Sequence, residues 1–296
     1  MKEARIPADF YKLFFGRAFL SLPSHIVSVF LPIFIFLAFS ESVIAVCIFF
    51  IIGHGMYALL SPVGARFLSQ NGYRFGLVVS TVWNALFYFA LFVLSDGVYS
   101  TFHTLMLFGL AIGNLVLFRF FFWLPYHVEM AELTQTDNRG FAVSIILSLM
   151  TIAGVVGPFV GGLLIAEFNY AVAFALVTGV SLLAIIPLFF LHPKQQEFEW
   201  TYKETWKQFF SKKHRGLIVA LAANGAENSI GYVIWPLFIF TLLDGNFFEV
   251  GTLSSLIVAL TVAVQMVTGK RLDKIQGRGD MLHVGSVLSA LGWVAK

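Results

Sequence analysis

Eight continuous apolar runs succeed one another along the chain: Ala18–Phe39, Ser42–Leu60, Phe75–Leu94, Thr101–Leu124, Phe141–Ala166, Tyr170–Leu191, Leu217–Leu243 and Val250–Thr268. Each is near the roughly 20 residues that carry an α-helix across a hydrocarbon core of about 30 Å. None shows the period-two alternation of a barrel strand, so the pattern predicts an all-α, polytopic transmembrane bundle. A ninth run opens at Met281 and reaches Lys296, short of a full crossing. The polar segments between runs are short except for Leu191–Gly216. In that segment Phe198, Tyr202, Trp206, Phe209 and Phe210 fall at i, i+4, i+8, i+11 and i+12. That spacing makes one helical stripe, with Lys203, Lys207 and Lys212 available to lipid phosphates. The expected organisation is a six-span bundle over 1–191, a linker over 192–216 carrying an interfacial amphipathic helix, and an incomplete bundle over 217–296. A solvated linker with incidental aromatics is the plainer alternative for the middle segment.

Charge adds an orientation. Of the 19 Lys and Arg residues, all but Arg119 and Lys296 fall in the N-terminal segment or in loops on its side of the spans. The opposite loops hold Glu41, Asp96, Glu167, Asp244 and Glu249 with no basic residue. The positive-inside rule therefore predicts a cytoplasmic N-terminus. Composition agrees with membrane residence: 58% of the 296 residues are hydrophobic and 12% are charged, against about 25% charged in an average soluble domain. The formal charge of +3 reflects the loop bias and predicts no nucleic-acid partner. Cys47 is the only cysteine, which excludes a disulfide scaffold. The first apolar run is too long for the core of a cleavable signal peptide.

Two phrases repeat at nearly one offset. Pro32-Ile-Phe-Ile-Phe-Leu in the first span matches Pro236-Leu-Phe-Ile-Phe-Thr in the seventh, 204 residues on. After the second span, Gly64-Ala-Arg66-Phe-Leu68-Ser69-Gln-Asn-Gly72-Tyr-Arg74 aligns with Gly269-Lys-Arg271-Leu-Asp273-Lys274-Ile-Gln-Gly277-Arg278-Gly279, at an offset of 205. Matches six spans apart with the same sidedness predict a parallel repeat about an axis along the membrane normal.

At this point the chain resembles the major facilitator superfamily of secondary transporters. The turns after the second and eighth spans are similar to that family's Gly-x-x-x-Asp-Arg/Lys-x-Gly-Arg loop. The first copy (Gly64, Gly72, Arg74) has Leu68 in place of Asp. The second (Gly269, Asp273, Lys274, Gly277, Arg278) keeps Asp with one extra residue before its second glycine. In the fifth span, Gly154-Val-Val-Gly157-Pro158-Phe-Val-Gly161-Gly162 resembles the family's antiporter motif. Its Ala153, Gly157 and Gly161 form a small-residue face suited to close helix packing. Ala131-Glu132-Leu133 with Arg139-Gly140 resembles the family's fourth loop. The resemblance spans essentially the whole chain, but the family has twelve spans, which implies a transporter truncated after the eighth.

Ionisable groups at membrane depth are costly and mark candidate function. Glu227 lies near the middle of the seventh span, and Asn224, Glu227, Asn228, Gly231 and Trp235 form one polar face. Ser21, Ser24, His25, Ser28 and Pro32 repeat that spacing in the first span, and Arg119 lies in the inner part of the fourth. In the family the first, fourth and seventh spans line the central cavity. The resemblance thus places Glu227, Arg119, His25, Asn224 and Asn228 on a substrate and proton pathway. Plainer alternatives stand beside them: Glu227 is neutralised by Arg119 or protonated in the bundle, Arg119 snorkels to the interface, His25 and His54 are structural, and Asn84 and Asn114 hydrogen-bond between helices. The expected function is secondary active transport of a small solute by alternating access, with proton-coupled efflux suiting the antiporter segment and uptake of a sugar, nucleoside or organic anion suiting Arg119 as well. A non-transporting membrane scaffold or sensor is the alternative. An enzyme is not expected, because His127, Glu129 and Glu132 supply neither metal spacing nor a nucleophile. The expected partners are a small-molecule substrate, protons and the lipid bilayer of a plasma or inner membrane, with no cofactor and no metal.

Overall fold

The computed structural model describes residues 7–134, 139–192 and 198–272, with backbone alone for 139–141 and 265–272. Asp273, Lys274, Gly277, Arg278 and the run from Met281 lie outside the described residues, and Gly269 is described within the backbone of the eighth span. The first span is α1 (Ala8–Val27) followed by α2 (Phe30–Ala38), bent by 50° at Ser28–Val29. The second to fifth spans are α3 (Val43–Asn71), α4 (Tyr73–Asp96), α5 (Thr101–Leu133) and α6 (Arg139–Glu167). The sixth is α7 (Tyr170–Leu183) continued by the short α8 (Ile185–Phe189). The linker carries α9 (Tyr202–Phe209). The seventh span is α10 (Arg215–Ser229), a π turn over Ile230–Ile234 and α11 (Trp235–Leu242), and the eighth is α12 (Phe247–Leu272). Each of the first eight apolar runs is therefore helical, and no strand occurs among the described residues.

The breaks in the first and seventh spans have one cause. Proline lacks an N–H and its ring crowds the carbonyl four residues back. Pro32 so disrupts the bond to Ser28, where α1 ends, and Pro236 the bond to Tyr232, inside the π turn. The seventh span takes up the defect by bonding Trp235 N–H to the Ile230 carbonyl, the i to i−5 spacing of a π turn.

The turns that follow these spans also correspond. Ser40 and Glu41 have φ of 52° and 63°, and Asp244 and Gly245, 204 positions on, have 50° and 79°. Glu41 N–H donates to the Phe36 carbonyl at 2.8 Å, and Gly245 N–H to the Phe240 carbonyl at 2.9 Å. Each turn then starts the next helix with a side-chain cap. Ser42 Oγ accepts from Ala45 N–H at 3.3 Å, and Asn246 Oδ1 from Glu249 N–H at 3.2 Å. The repeat read in six residues thus extends through bend, turn and cap.

The second span differs from its predicted length. α3 continues to Asn71 because Pro62, Ala65 and Leu68 carry its buried face onward. The turn is made at Gly72, whose φ of 89° suits glycine and whose N–H bonds the Leu68 carbonyl at 2.9 Å. Gly64 lies within α3, where an added Cβ would be 2.9 Å from the Phe120 ring of α5. Arg74 donates to the Leu191 carbonyl at 3.3 Å, tying α4 to the end of the sixth span. At the same end Lys12 donates to the Phe190 carbonyl, and Asp9 pairs with both Lys12 and His192, each at 2.7 Å.

Burying apolar surface against other helices gains little where lipid is equally apolar, so close packing and hydrogen bonds hold such a bundle. α6 crosses α1 at its glycines: a Cβ on Gly157 would lie 2.6 Å from the His25 carbonyl carbon, and one on Gly161 would sit on the Ile26 carbonyl oxygen. Gly162 meets α12, its Cβ position 3.0 Å from Gly251 Cα. Asn84 of α4 donates to Ser181 Oγ of α7 at 3.0 Å, a buried bond between helices. Outward, α3 exposes Ile44, Ile48, Ile51, Met56, Leu59 and Val63 in one stripe, the apolar exterior of a membrane helix. Residues 1–255 form one compact unit and 256–296 a second, in which Leu256, Leu260 and Val264 of α12 are exposed.

Candidate functional site

The second and fourth spans turn polar positions toward each other. On α3, His54, Tyr57 and Ser61 follow at i, i+3 and i+7; on α5, Arg119, Trp123 and His127 follow at i, i+4 and i+8. With Phe120 and Leu124 these side chains line a partly open cavity of about 470 Å³. His54 and Tyr57 lie near the middle of α3, while Ser61 and the α5 residues lie past mid-helix toward Arg74, so the cavity runs from the middle of the bundle toward its basic end.

Arg119 is the cavity's permanent charge. Its Nη1 is buried and makes no hydrogen bond. No ion pair or hydrogen bond to its guanidinium occurs among the described residues. Gly53 faces it, and a Cβ there would stand 3.7 Å from Nη1, in ordinary contact. α3 contains no acidic residue, and α5 contains none before Glu129. The guanidinium therefore projects among two imidazoles, a phenol, a hydroxyl and apolar rings, with no carboxylate among the described residues lining the cavity.

A second arginine braces the same wall. The Arg17 guanidinium of α1 lies 4.8 Å from the Trp123 ring centroid and 5.3 Å from those of Phe122 and Tyr126. Its Nη2 also reaches Met150 Sδ of α6 at 3.7 Å. Desolvated cation–π contacts are worth up to about 2 kcal/mol. Trp123 in turn stacks with His127, centroids 5.6 Å apart at 20°. The indole is thus shared between the first span and the cavity.

The other predicted pathway residues lie elsewhere. His25 is half-buried on α1, and its Nδ1 bonds the Ser21 carbonyl at 2.8 Å. Ser24 and Ser28 likewise donate to carbonyls of their own helix, at 2.7 and 2.9 Å. The polar face of the first span therefore serves its own backbone beside the bend. Asn224, Glu227 and Asn228 are exposed on α10, and none of them lines the Arg119 cavity. Gly157 and Gly161 form the helix crossing described above. Pro158 lies within α6 and its carbonyl abuts Gly251. Tyr57, Ser61 and Trp123 were not singled out from sequence, although the i, i+3, i+7 and i, i+4, i+8 spacings were there to be read. Among the described residues, no group of three His, Cys, Asp or Glu is placed to hold a metal.

The two repeat-related spans are disposed unequally about their breaks. Beyond them, α2 packs on α11. Around that contact Phe30, Phe34, Tyr170, Phe174, Phe240 and Phe247 form a continuous aromatic cluster, with centroid separations of 5.0 to 6.4 Å. Before the breaks, no comparable packing joins α10 to α1 among the described residues, and residues 219–232 are exposed.

Comparison with known proteins agrees with this architecture. One stretch of 81 residues is 32% identical to "Uncharacterized protein YqgE" of Bacillus subtilis (strain 168), a match covering 26% of this chain and 19% of that protein. Residues 13–295 match the Major Facilitator Superfamily. With its apolar helical spans, its six-span repeat and a match running nearly end to end, the chain belongs to the Major Facilitator Superfamily.

Proposed function

We propose that the chain is the working body of a secondary active transporter that exports a small solute by alternating access, coupled to protons. The observation that carries this reading is the unequal disposition of the first and seventh spans: α2 on α11 beyond the breaks, and α10 apart from α1 before them. Helices that meet at one end and part at the other leave a path open at the parted end. Rocking about the breaks exchanges the two ends. In this reading the basic end faces the cytoplasm of a plasma or inner membrane, by the excess of Lys and Arg in its loops. The conformation is then inward-facing, and the Arg119 cavity opens to the cytoplasm. Residues 1–191 act as one bundle, 192–216 as a linker whose α9 lies on the lipid surface, and 217–296 as part of the second bundle.

Glu227 is the coupling group. Protonated from one side and released to the other, it biases the rocking through differential stability of the two states. Asn224 and Asn228 flank it on the same face of α10 and orient the carboxyl and the passing solute. Arg119 and His25 complete the pathway from the N-terminal bundle. Gly64 seats α3 against α5, Gly72 makes the turn and Arg74 ties it to the sixth span, and Gly269, Asp273, Lys274, Gly277 and Arg278 are the matching motif of the second repeat. Gly157 and Gly161 fasten α6 to the first span within the N-terminal bundle, and Pro158 and Gly162 allow it to slide on the eighth.

Flux into proteoliposomes of the complete protein tests the reading. Glu227→Gln abolishes movement driven by a pH gradient and spares solute exchange between equal pH compartments. Coupled movement that is unchanged in Glu227→Gln contradicts it.

A further inference from the structure

We infer that the Arg119 cavity binds a small organic anion with a flat apolar body, an aromatic carboxylate being the simplest example. For the ligand's passage across the membrane this rests on the transport reading above; for binding it rests on the cavity alone.

A guanidinium held at membrane depth is expensive unless a counter-charge meets it. Among the described residues none is supplied at the site: Arg119 Nη1 is buried without an acceptor, no Asp or Glu lines the cavity, and neither α3 nor the adjoining length of α5 contains one. The donors that surround it are of one kind of use. Arg119 offers a planar fork that matches a carboxylate bidentately. His54 and His127 add imidazole N–H groups, and Tyr57 a phenol.

The remaining walls choose the rest of the ligand. Phe120, Trp123 and Leu124 are apolar, and Trp123 is held between its stack on His127 and the Arg17 guanidinium. Held from both sides, the indole is a rigid apolar wall against whose edge a flat ring can pack. The volume of about 470 Å³ falls in the range of about 300–1,000 Å³ that small-molecule sites occupy. A cation would have to approach an unscreened guanidinium, and a neutral ring would leave it unpaired, so charge sets the selectivity.

Three probes of one shape separate charge from shape: 2-naphthoate, 2-naphthylmethanol and 2-naphthylmethylamine. Binding to the complete protein in detergent, followed by isothermal titration, is expected to favour the carboxylate over both others by about tenfold or more. Arg119→Gln lowers naphthoate affinity by at least that factor and leaves the alcohol unchanged, while Arg119→Lys recovers part of the loss. Equal affinity for the three probes, preference for the amine, no naphthoate binding, or full naphthoate binding in a monodisperse Arg119→Gln protein overturns the inference. If Arg119→Gln does not fold, the three probes on the parent protein decide. Flux in proteoliposomes separates this inference from the transport reading. Naphthoate that binds through Arg119 but is not moved upholds the site and counts against transport. Movement of the amine or alcohol without naphthoate binding upholds transport and defeats the anion site.

Discussion

The first and seventh spans share a backbone plan and differ in what they do with it. Displaced by 204 positions, they place a bend or π turn four residues before a proline, follow it with the same left-handed turn, and cap the next helix from the same position. Even the back-bond ahead of the break is kept: His25 bonds the Ser21 carbonyl, and Ser229 the Gly225 carbonyl, both at 2.8 Å. Side chains in equivalent positions then diverge. Leu20, Pro23 and Val27 are buried in the first span, where the seventh presents Asn224, Glu227 and Gly231, all exposed. The repeat thus preserves the geometry of bending and varies the chemistry of the face. One copy is fastened to α6 by backbone contact, and the other carries the polar groups.

That contrast breaks most sharply at the glycines. Gly161→Ala drives a methyl into the Ile26 carbonyl, and overpacking of this kind costs about 1–3 kcal/mol or more. Gly231→Ala, with nothing within 4 Å, is expected to be neutral or stabilising by up to about 1 kcal/mol. Thermal unfolding in detergent measures both, and equal effects would erase the distinction between a fastened span and an open one.

Next in size is the bond that locks the first bundle alone. Asn84→Ala removes the buried link to Ser181 and is expected to cost about 0.6–2 kcal/mol, read from the same unfolding curves. A neutral result would mean that α4 and α7 are held by packing only.

The matched turns give a smaller and reciprocal pair. Glu41 and Gly245 occupy the same left-handed position, at φ of 63° and 79°. The αL conformation costs a residue with a Cβ about 1–2 kcal/mol. Glu41→Gly is expected to stabilise and Gly245→Ala to destabilise, each by about 1 kcal/mol. Changes of the same sign would show that the two turns are not equivalent.

The smallest effect is in the linker. Glu204 accepts from Thr201 N–H at 2.8 Å and from its hydroxyl at 2.7 Å, and Thr201 Oγ1 accepts in return from Glu204 N–H. The backbone bond from Thr201, with its hydroxyl, holds the Glu204 carboxyl below the usual carboxylate range. A depressed folded pKa stabilises the helix above the unfolded value of about 4.3 and loses that support as pH falls through the folded one. Hydrogen exchange in α9 should therefore show fraying in acid but not at neutral pH, and Glu204→Gln should flatten that dependence.

Most of the architecture was legible because membrane spans are written in long apolar runs and the repeat in its prolines and phenylalanines. The bend at Ser28–Val29 was implicit in Pro32, since proline acts four residues upstream of itself. The extra turns of α3 were hidden because Ser61, Arg66 and Gln70 dilute its apolar signal while Pro62, Ala65 and Leu68 keep the buried face. For the site, the sequence yields Arg119 by its cost at membrane depth. It does not yield His54, Tyr57 and His127 as its neighbours, because that requires knowing which face of α3 meets which face of α5. Trp123 is similarly one aromatic among many until Arg17 and His127 are found against it.

The central claim is that the seventh span opens at the basic end and exchanges ends about its π turn. Accessibility of single cysteines, in the complete protein with Cys47→Ala, tests it directly. Asn224→Cys on α10 and Phe238→Cys on α11 would be labelled in membrane vesicles by an impermeant maleimide, with and without a transported solute. The account predicts reciprocal change: as labelling at 224 from the basic side falls, labelling at 238 from the opposite side rises. Labelling at both positions that is indifferent to solute, or that rises and falls together, would contradict it.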